Sequence, residues 1–188
     1  MNNFLQRALL FIIGLPLLLF IVVFFDRYHQ LGWSTLIVVT TWLGTRESLR
    51  LFVPEPKSWE RRLIPLAALL ISISSVFDYL FSPALELLPL IFLLSIFFLL
   101  ILRLFAWETE EAANFTSRSS GLIAALIYPA LFMAYLIRFA EFSDPLPVII
   151  LFLILNFGND TSAYLAGRFF GTNSPRLFAV SPKKTLVG

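Results

Sequence analysis

Leu87-Leu88-Pro89-Leu90-Ile91-Phe92-Leu93-Leu94-Ser95-Ile96-Phe97-Phe98-Leu99-Leu100-Ile101-Leu102-Arg103-Leu104-Phe105 is a run in which almost every side chain is aliphatic or Phe. A helix that crosses a bilayer needs roughly 20 mostly apolar residues, so this stretch predicts a membrane span. The chain around it has the same character. It is 59% hydrophobic, contains 21 Phe and has a mean hydropathy of +0.85. Only 14% of its residues are charged, against roughly 25% in a soluble domain. These values indicate an integral membrane protein.

Working outward from 87–105, six apolar segments of spanning length are predicted, at about 4–25, 32–49, 63–81, 87–105, 121–139 and 146–164. The expected fold is an all-α, polytopic helical bundle. Pro16, Pro65, Pro89, Pro129 and Pro147 lie within or at the starts of these segments. Proline is tolerated near a helix start and kinks a helix further in. Orientation follows from the basic residues. Of 14 Lys and Arg, only Arg27 and Arg138 fall on one side of the predicted topology. The rest (Arg7, Arg46, Arg50, Lys57, Arg61, Arg62, Arg103, Arg118, Arg168, Arg176, Lys183, Lys184) fall on the other. The positive-inside rule places that side, and both termini, in the cytoplasm. Trp33, Trp42, Trp59 and Trp107 fall near expected span ends or in loops, as interfacial aromatics do. Residues 54–62 and 107–121 read as polar cytoplasmic connections. Arg7 and the apolar run after it resemble a signal peptide, but no small-x-small cleavage site follows, so the segment reads as a retained span.

Several chemistries are excluded. Cys is absent, which removes disulfides, thiolate metal sites and a Cys nucleophile. His29 is the single His and cannot build a His cluster. The net charge is +2 and no basic face exists outside the loops, so nucleic acid is not an expected partner. There is no Gly-rich phosphate loop of the Walker type.

Polar groups enter at the end of the last apolar segment. On a continuing helix, Asn156, Asp160, Ala163, Gly167 and Gly171 recur at three- and four-residue steps and share a face, with Tyr164 four residues after Asp160. A carboxylate near hydrocarbon is expected to face a cavity, a cation or a partner. Two readings stand. Asp160 helps to hold a divalent cation or a nucleotide, since Mg²⁺ prefers carboxylate oxygens and keeps several waters. Or Asp160 ends a helix at the water boundary, and Gly167 with Gly171 lets two helices approach closely.

Ser181-Pro182-Lys183-Lys184-Thr185 reads as a helix start, with Ser as N-cap and Pro at the first helical position. Free N–H groups and the helix dipole there favour anions. Lys183 and Lys184 add charge, and Ser181 and Thr185 add hydroxyls. The segment is a phosphate cradle, or else a basic patch that touches anionic lipids.

Taken together, these two segments resemble a known pattern. Asp160-Thr161-Ser162-Ala163-Tyr164-Leu165-Ala166-Gly167-Arg168-Phe169-Phe170-Gly171, followed after a spacer by Ser181-Pro182-Lys183-Lys184-Thr185, is similar to the D-x-x-A-Y-x-x-G-R-x-x-G and S-P-K-K-T motifs of phosphatidate cytidylyltransferases. Leu5-Gln6-Arg7, Glu47 and Tyr128 also fit that family. The family's Trp-Glu-Gly after the Thr is replaced here by Leu186-Val187-Gly188, and its C-terminal His-Gly-Gly and Asp-Arg-x-Asp elements are missing. The resemblance therefore implies the N-terminal part of such an enzyme, inactive by itself. It divides the chain into spans over 1–145 and the start of a catalytic region over 146–188.

The resemblance implies transfer of CMP from CTP to phosphatidate, giving CDP-diacylglycerol and diphosphate, with Mg²⁺ as cofactor. Lys183 and Lys184 would bind CTP or diphosphate oxygens, with Ser181 and Thr185 completing the cradle. Asp160 would hold the cation or orient a substrate group, Arg168 would pair with a phosphate, and Tyr164 would line the substrate site. Implied partners are CTP, phosphatidate and membrane lipids, with a homodimer left open. The implied location is the cell inner membrane, with the site on its cytoplasmic face. The alternatives are a related CTP-dependent lipid or prenol kinase or cytidylyltransferase, and a non-catalytic membrane scaffold. Transport is disfavoured, because transporter sites sit near the bilayer midplane and the polar groups here gather at one boundary.

Overall fold

A computed structural model describes residues 10–25, 30–81, 86–105 and 112–171. Every element among these residues is helical. In hydrocarbon no water satisfies backbone N–H and C=O groups, and a helix satisfies them internally. A π-helical turn, Leu10–Gly14, leads into α1, Leu15–Phe24. Then follow α2 (Leu31–Phe52), α3 (Ser58–Phe81), α4 (Leu87–Phe105) and α5 (Ala112–Ala125). A second π-turn, Leu126–Leu131, joins α5 to α6 (Phe132–Ile137), which closes in a 3₁₀ turn, Arg138–Glu141. The last helix, α7, is Pro145–Phe170.

Among the described residues, four helical segments are long and apolar enough to cross a membrane: Ser58–Phe81, Leu87–Phe105, Asn114–Glu141 and Pro145–Phe170. The fold is that of an all-α membrane protein. The other two expected spans differ in kind. The described part of the first is a shorter apolar helix, Ile12–Phe24. The second, α2, is long enough but too polar, since its last two turns carry Arg46, Glu47 and Arg50; it also buries Ser34, Thr41, Thr45 and Ser48. Thr41 Oγ1 donates to the Ile37 carbonyl at 2.8 Å and Thr45 Oγ1 to the Thr41 carbonyl at 2.7 Å. Each hydroxyl thus finds an acceptor on its own helix, which permits its burial.

The chain divides into two compact units, one of residues 1–21 and 146–188, the other Val22–Pro145. Within the second unit α2 packs along α3, and both pack against the π-turn and α6; α4 lies against α3, and α5 against α2. Its core is aliphatic and includes Leu49, Val53, Ile64, Ala68, Ile71, Leu88, Leu122 and Leu126. Pro129 lies inside the π-turn. Proline lacks an N–H and its ring clashes with the carbonyl four residues back, and a one-residue-wider turn accommodates both defects.

Polar side chains fasten the helices to one another. The two carboxylate oxygens of Asp78 accept from the N–H groups of Leu87 and Leu88 at 2.8 and 2.9 Å, so α3 caps the N-terminus of α4. Ser75 Oγ donates to the Ala134 carbonyl at 2.9 Å. Trp33, expected at the membrane interface, is instead only 2% exposed. Its Nε1 donates to the Leu136 carbonyl at 2.7 Å and its ring stacks on Phe139. An acceptor within the protein makes burial of an indole more favourable than an interfacial position. Trp42 is exposed and Trp59 half-buried, and Trp107 lies outside the described residues.

Residues 107–121, expected as a loop, are helical from Ala112 onward. At Gly121 α5 meets the end of α2. A Cβ there would come within 2.5 Å of the Phe52 carbonyl oxygen. At Gly44 a Cβ would make an ordinary 3.5 Å contact with Pro129. Gly121→Ala is therefore expected to destabilise the protein by about 1–3 kcal/mol through overpacking. Gly44→Ala is expected to be neutral or stabilising, by up to ~1 kcal/mol of helix propensity. Thermal unfolding in detergent checks both; equal melting temperatures for the two variants would remove the close-approach argument.

Candidate functional site

Helix α7 carries the described part of the candidate site. It runs six residues past the predicted end of its span, to Phe170, so Asp160, Tyr164 and Arg168 all lie on one unbroken helix. Their four-residue spacing sets them along one side of α7. Arg168 Nη1 donates to the Tyr164 hydroxyl at 3.3 Å, which couples the basic and phenolic groups of the motif. The Gly171 N–H donates to the Gly167 carbonyl at 3.1 Å, so helical hydrogen bonding continues to the end of the glycine pair.

The polar groups around Asp160 are satisfied locally. Asn156 Nδ2 donates to the Phe152 carbonyl at 2.9 Å, and Thr161 Oγ1 donates to the Phe157 carbonyl at 2.7 Å. Asp160 differs. Its side chain is exposed, and no hydrogen bond or ion pair is formed by its carboxylate among the described residues. A carboxylate with both oxygens open can take a hard cation or a donor group. No cluster of three acidic or His side chains is present among the described residues.

Ser181, Lys183, Lys184 and Thr185 lie outside the described residues, as does the helix start expected at Ser181-Pro182. Leu5-Gln6-Arg7 also lies outside them. Glu47 is exposed on α2, and Tyr128 is exposed on the π-turn.

The unit Val22–Pro145 holds charged groups that sequence reasoning counted only as loop charges. Glu60 is fully buried at the start of α3. Its carboxylate accepts from the Lys57 N–H at 2.7 Å and from Arg118 Nε and Nη2 at 2.8 and 2.6 Å. Arg118 Nη2 also donates to the Glu55 carbonyl at 3.1 Å. Arg103 is fully buried too, where Nε donates to Ser119 Oγ at 3.3 Å and the guanidinium lies 5.0 Å from the Phe115 ring centre. The signal available in the sequence was Lys57-x-x-Glu60, which is the spacing of a helix-start carboxylate that returns to a backbone N–H.

Residues 5–188 match the cytidylyltransferase family. The chain belongs to that family. It is 40% identical over 100 residues to a protein of Aquifex aeolicus (strain VF5) described as a phosphatidate cytidylyltransferase. That alignment covers 53% of this chain and 33% of the relative, so the chain spans about a third of the length of the curated relative it matches. No solved structure matches the chain. Nucleotidyl transfer, the chemistry for which the family is named, commonly uses a divalent metal ion.

Proposed function

We propose that the protein acts in CTP-dependent cytidylyl transfer to phosphatidate, yielding CDP-diacylglycerol and diphosphate. The observation that carries this reading is the Asp160–Tyr164–Arg168 ladder on one helix, in a chain that matches the cytidylyltransferase family over residues 5–188. Residues 146–188 begin the catalytic region and residues 1–145 supply N-terminal helices. In this reading the site lies on the cytoplasmic face of the inner membrane, where CTP is found. The positive-inside distribution of Lys and Arg supports that orientation.

A phosphate oxygen of phosphatidate attacks the α-phosphorus of CTP. The new P–O bond forms as the α–β anhydride bond breaks, and diphosphate leaves with the electron pair. The lipid phosphate is already anionic, so no Ser or Cys nucleophile is required. The protein's contribution is alignment and charge neutralisation. Arg168, held by Tyr164, pairs with a phosphate. Lys183 and Lys184 receive the triphosphate oxygens, and Ser181 and Thr185 donate hydrogen bonds to them. Asp160 would hold Mg²⁺, which when bound would neutralise developing phosphate charge.

The test uses membranes that carry the native gene product, given phosphatidate and CTP labelled at either the α- or the γ-phosphate. Label from the α-position is expected in lipid, and Asp160→Asn is expected to lower that incorporation at least tenfold, as loss of a metal or electrostatic ligand does. Transfer of γ-label would identify a lipid kinase. Incorporation of neither label would leave a non-catalytic membrane scaffold.

A further inference from the structure

A groove of about 240 Å³ runs between α3 and α4. Trp59, Ala67 and Leu70 form one wall, and Phe98 and Leu102 the other. Both helices are long and apolar enough to cross a membrane, so the groove lies at the depth of lipid chains. Ser95 is a polar residue of the lining, and its hydroxyl already donates to the Ile91 carbonyl at 2.7 Å. An occupant thus needs no hydrogen bonds inside, which suits a hydrocarbon chain and disfavours a peptide backbone. The volume accommodates roughly eight groups of water or methylene size at ~30 Å³ each.

Apolar contact alone selects nothing here, because lipid tails elsewhere in the bilayer are equally apolar. Selection must come from the end of the groove. Trp59 is the second residue of α3 and Leu102 lies in the last turn of α4, so that end lies where both helices leave hydrocarbon. Arg61 and Arg62 are exposed there, and neither has an ion-pair partner among the described residues. Arg62 stands three residues after Trp59 and four before Leu66, another lining residue, so it flanks the groove face of α3. Lys57 is one turn earlier.

We propose that this groove is a binding site for one acyl chain of an anionic membrane phospholipid, with the headgroup phosphate held at Arg62 and Arg61. The site uses none of the residues assigned to nucleotidyl transfer and does not rest on that assignment. Arginine suits the role because its planar fork meets phosphate oxygens in pairs.

Native mass spectrometry of the whole chain, released from detergent after incubation with phosphatidylglycerol and phosphatidylcholine of identical acyl chains, tests the proposal. One phosphatidylglycerol per chain should be retained, preferred about 30-fold over phosphatidylcholine for two basic side chains near the membrane surface. Ala67→Phe, which fills the groove, should abolish retention of both lipids. Arg61→Ala/Arg62→Ala should leave the two lipids equally bound. Equal retention by the unaltered chain, an undiminished preference in the arginine variant, or full retention by Ala67→Phe would each overturn the proposal. So would a dimer abolished by Ala67→Phe, since a second copy would then occupy the groove. Should Ala67→Phe fail to fold, the arginine variant, altered only on the exposed surface, decides the matter.

Discussion

Replacing both Lys183 and Lys184 with Ala is expected to reduce CTP-dependent labelling of phosphatidate by about 100-fold or more, the loss typical when preorganised groups facing transition-state charge are removed. The reason is electrostatic. A nucleotide triphosphate brings several negative charges to the membrane surface, and diphosphate leaves with more charge on the bridging oxygen than it had in CTP. Cations that meet that oxygen stabilise the transition state more than the bound substrate. The effect should therefore appear in kcat/KM for CTP, with membrane insertion and helical content unchanged. Lys183→Arg, which keeps a positive charge, should recover part of the loss. Unaltered kinetics in the double variant would remove the cradle, while leaving the helical ladder of Asp160, Tyr164 and Arg168 to be tested separately by Asp160→Asn.

The second large effect concerns folding. Arg118→Ala leaves the buried Glu60 carboxylate with the Lys57 N–H as its one hydrogen-bond donor among the described residues. Removing one member of a buried ion pair destabilises by about 3–5 kcal/mol, because an uncompensated charge remains. Glu60→Ala should cost less. Arg118 is 19% exposed at its side chain and can reach water and the Glu55 carbonyl. The double variant should cost less than the sum of the two single ones, as groups in contact do. Equilibrium unfolding of the detergent-solubilised protein measures all three. A change for Arg118→Ala within about 0.5 kcal/mol of zero, the range of ordinary surface substitutions, would show that the pair contributes nothing to stability.

These two experiments probe regions that the sequence exposed to different degrees. The motif that begins at Asp160 was readable because its chemistry is local. Residues spaced by four on a helix share a side whatever the rest of the chain does. The continuation of α7 through Arg168, which brings that side chain to the Tyr164 hydroxyl, required no distant partner. The Glu60–Arg118 pair was not readable in the same way. Its members are 58 residues apart, and each taken alone looks like a solvated charge beside a membrane span. Trp33 misled for a similar reason. A Trp near a span end is ordinarily an interfacial anchor, and only the Leu136 carbonyl, 103 residues away, makes its burial favourable.

Apolar runs of spanning length, the absence of Cys, and the asymmetry of Lys and Arg are properties of composition and order. They determined from the sequence alone that this is an all-α membrane protein. The tertiary structure decided which polar side chains leave the lipid or water boundary for the interior. Thr41 and Thr45 of α2, Asp78, Glu60, Arg103 and Trp33 are all buried. Burial of a polar group is tolerable only when a partner with correct geometry waits there. For Asp78, Glu60, Arg103 and Trp33 that partner belongs to a segment brought near only by folding.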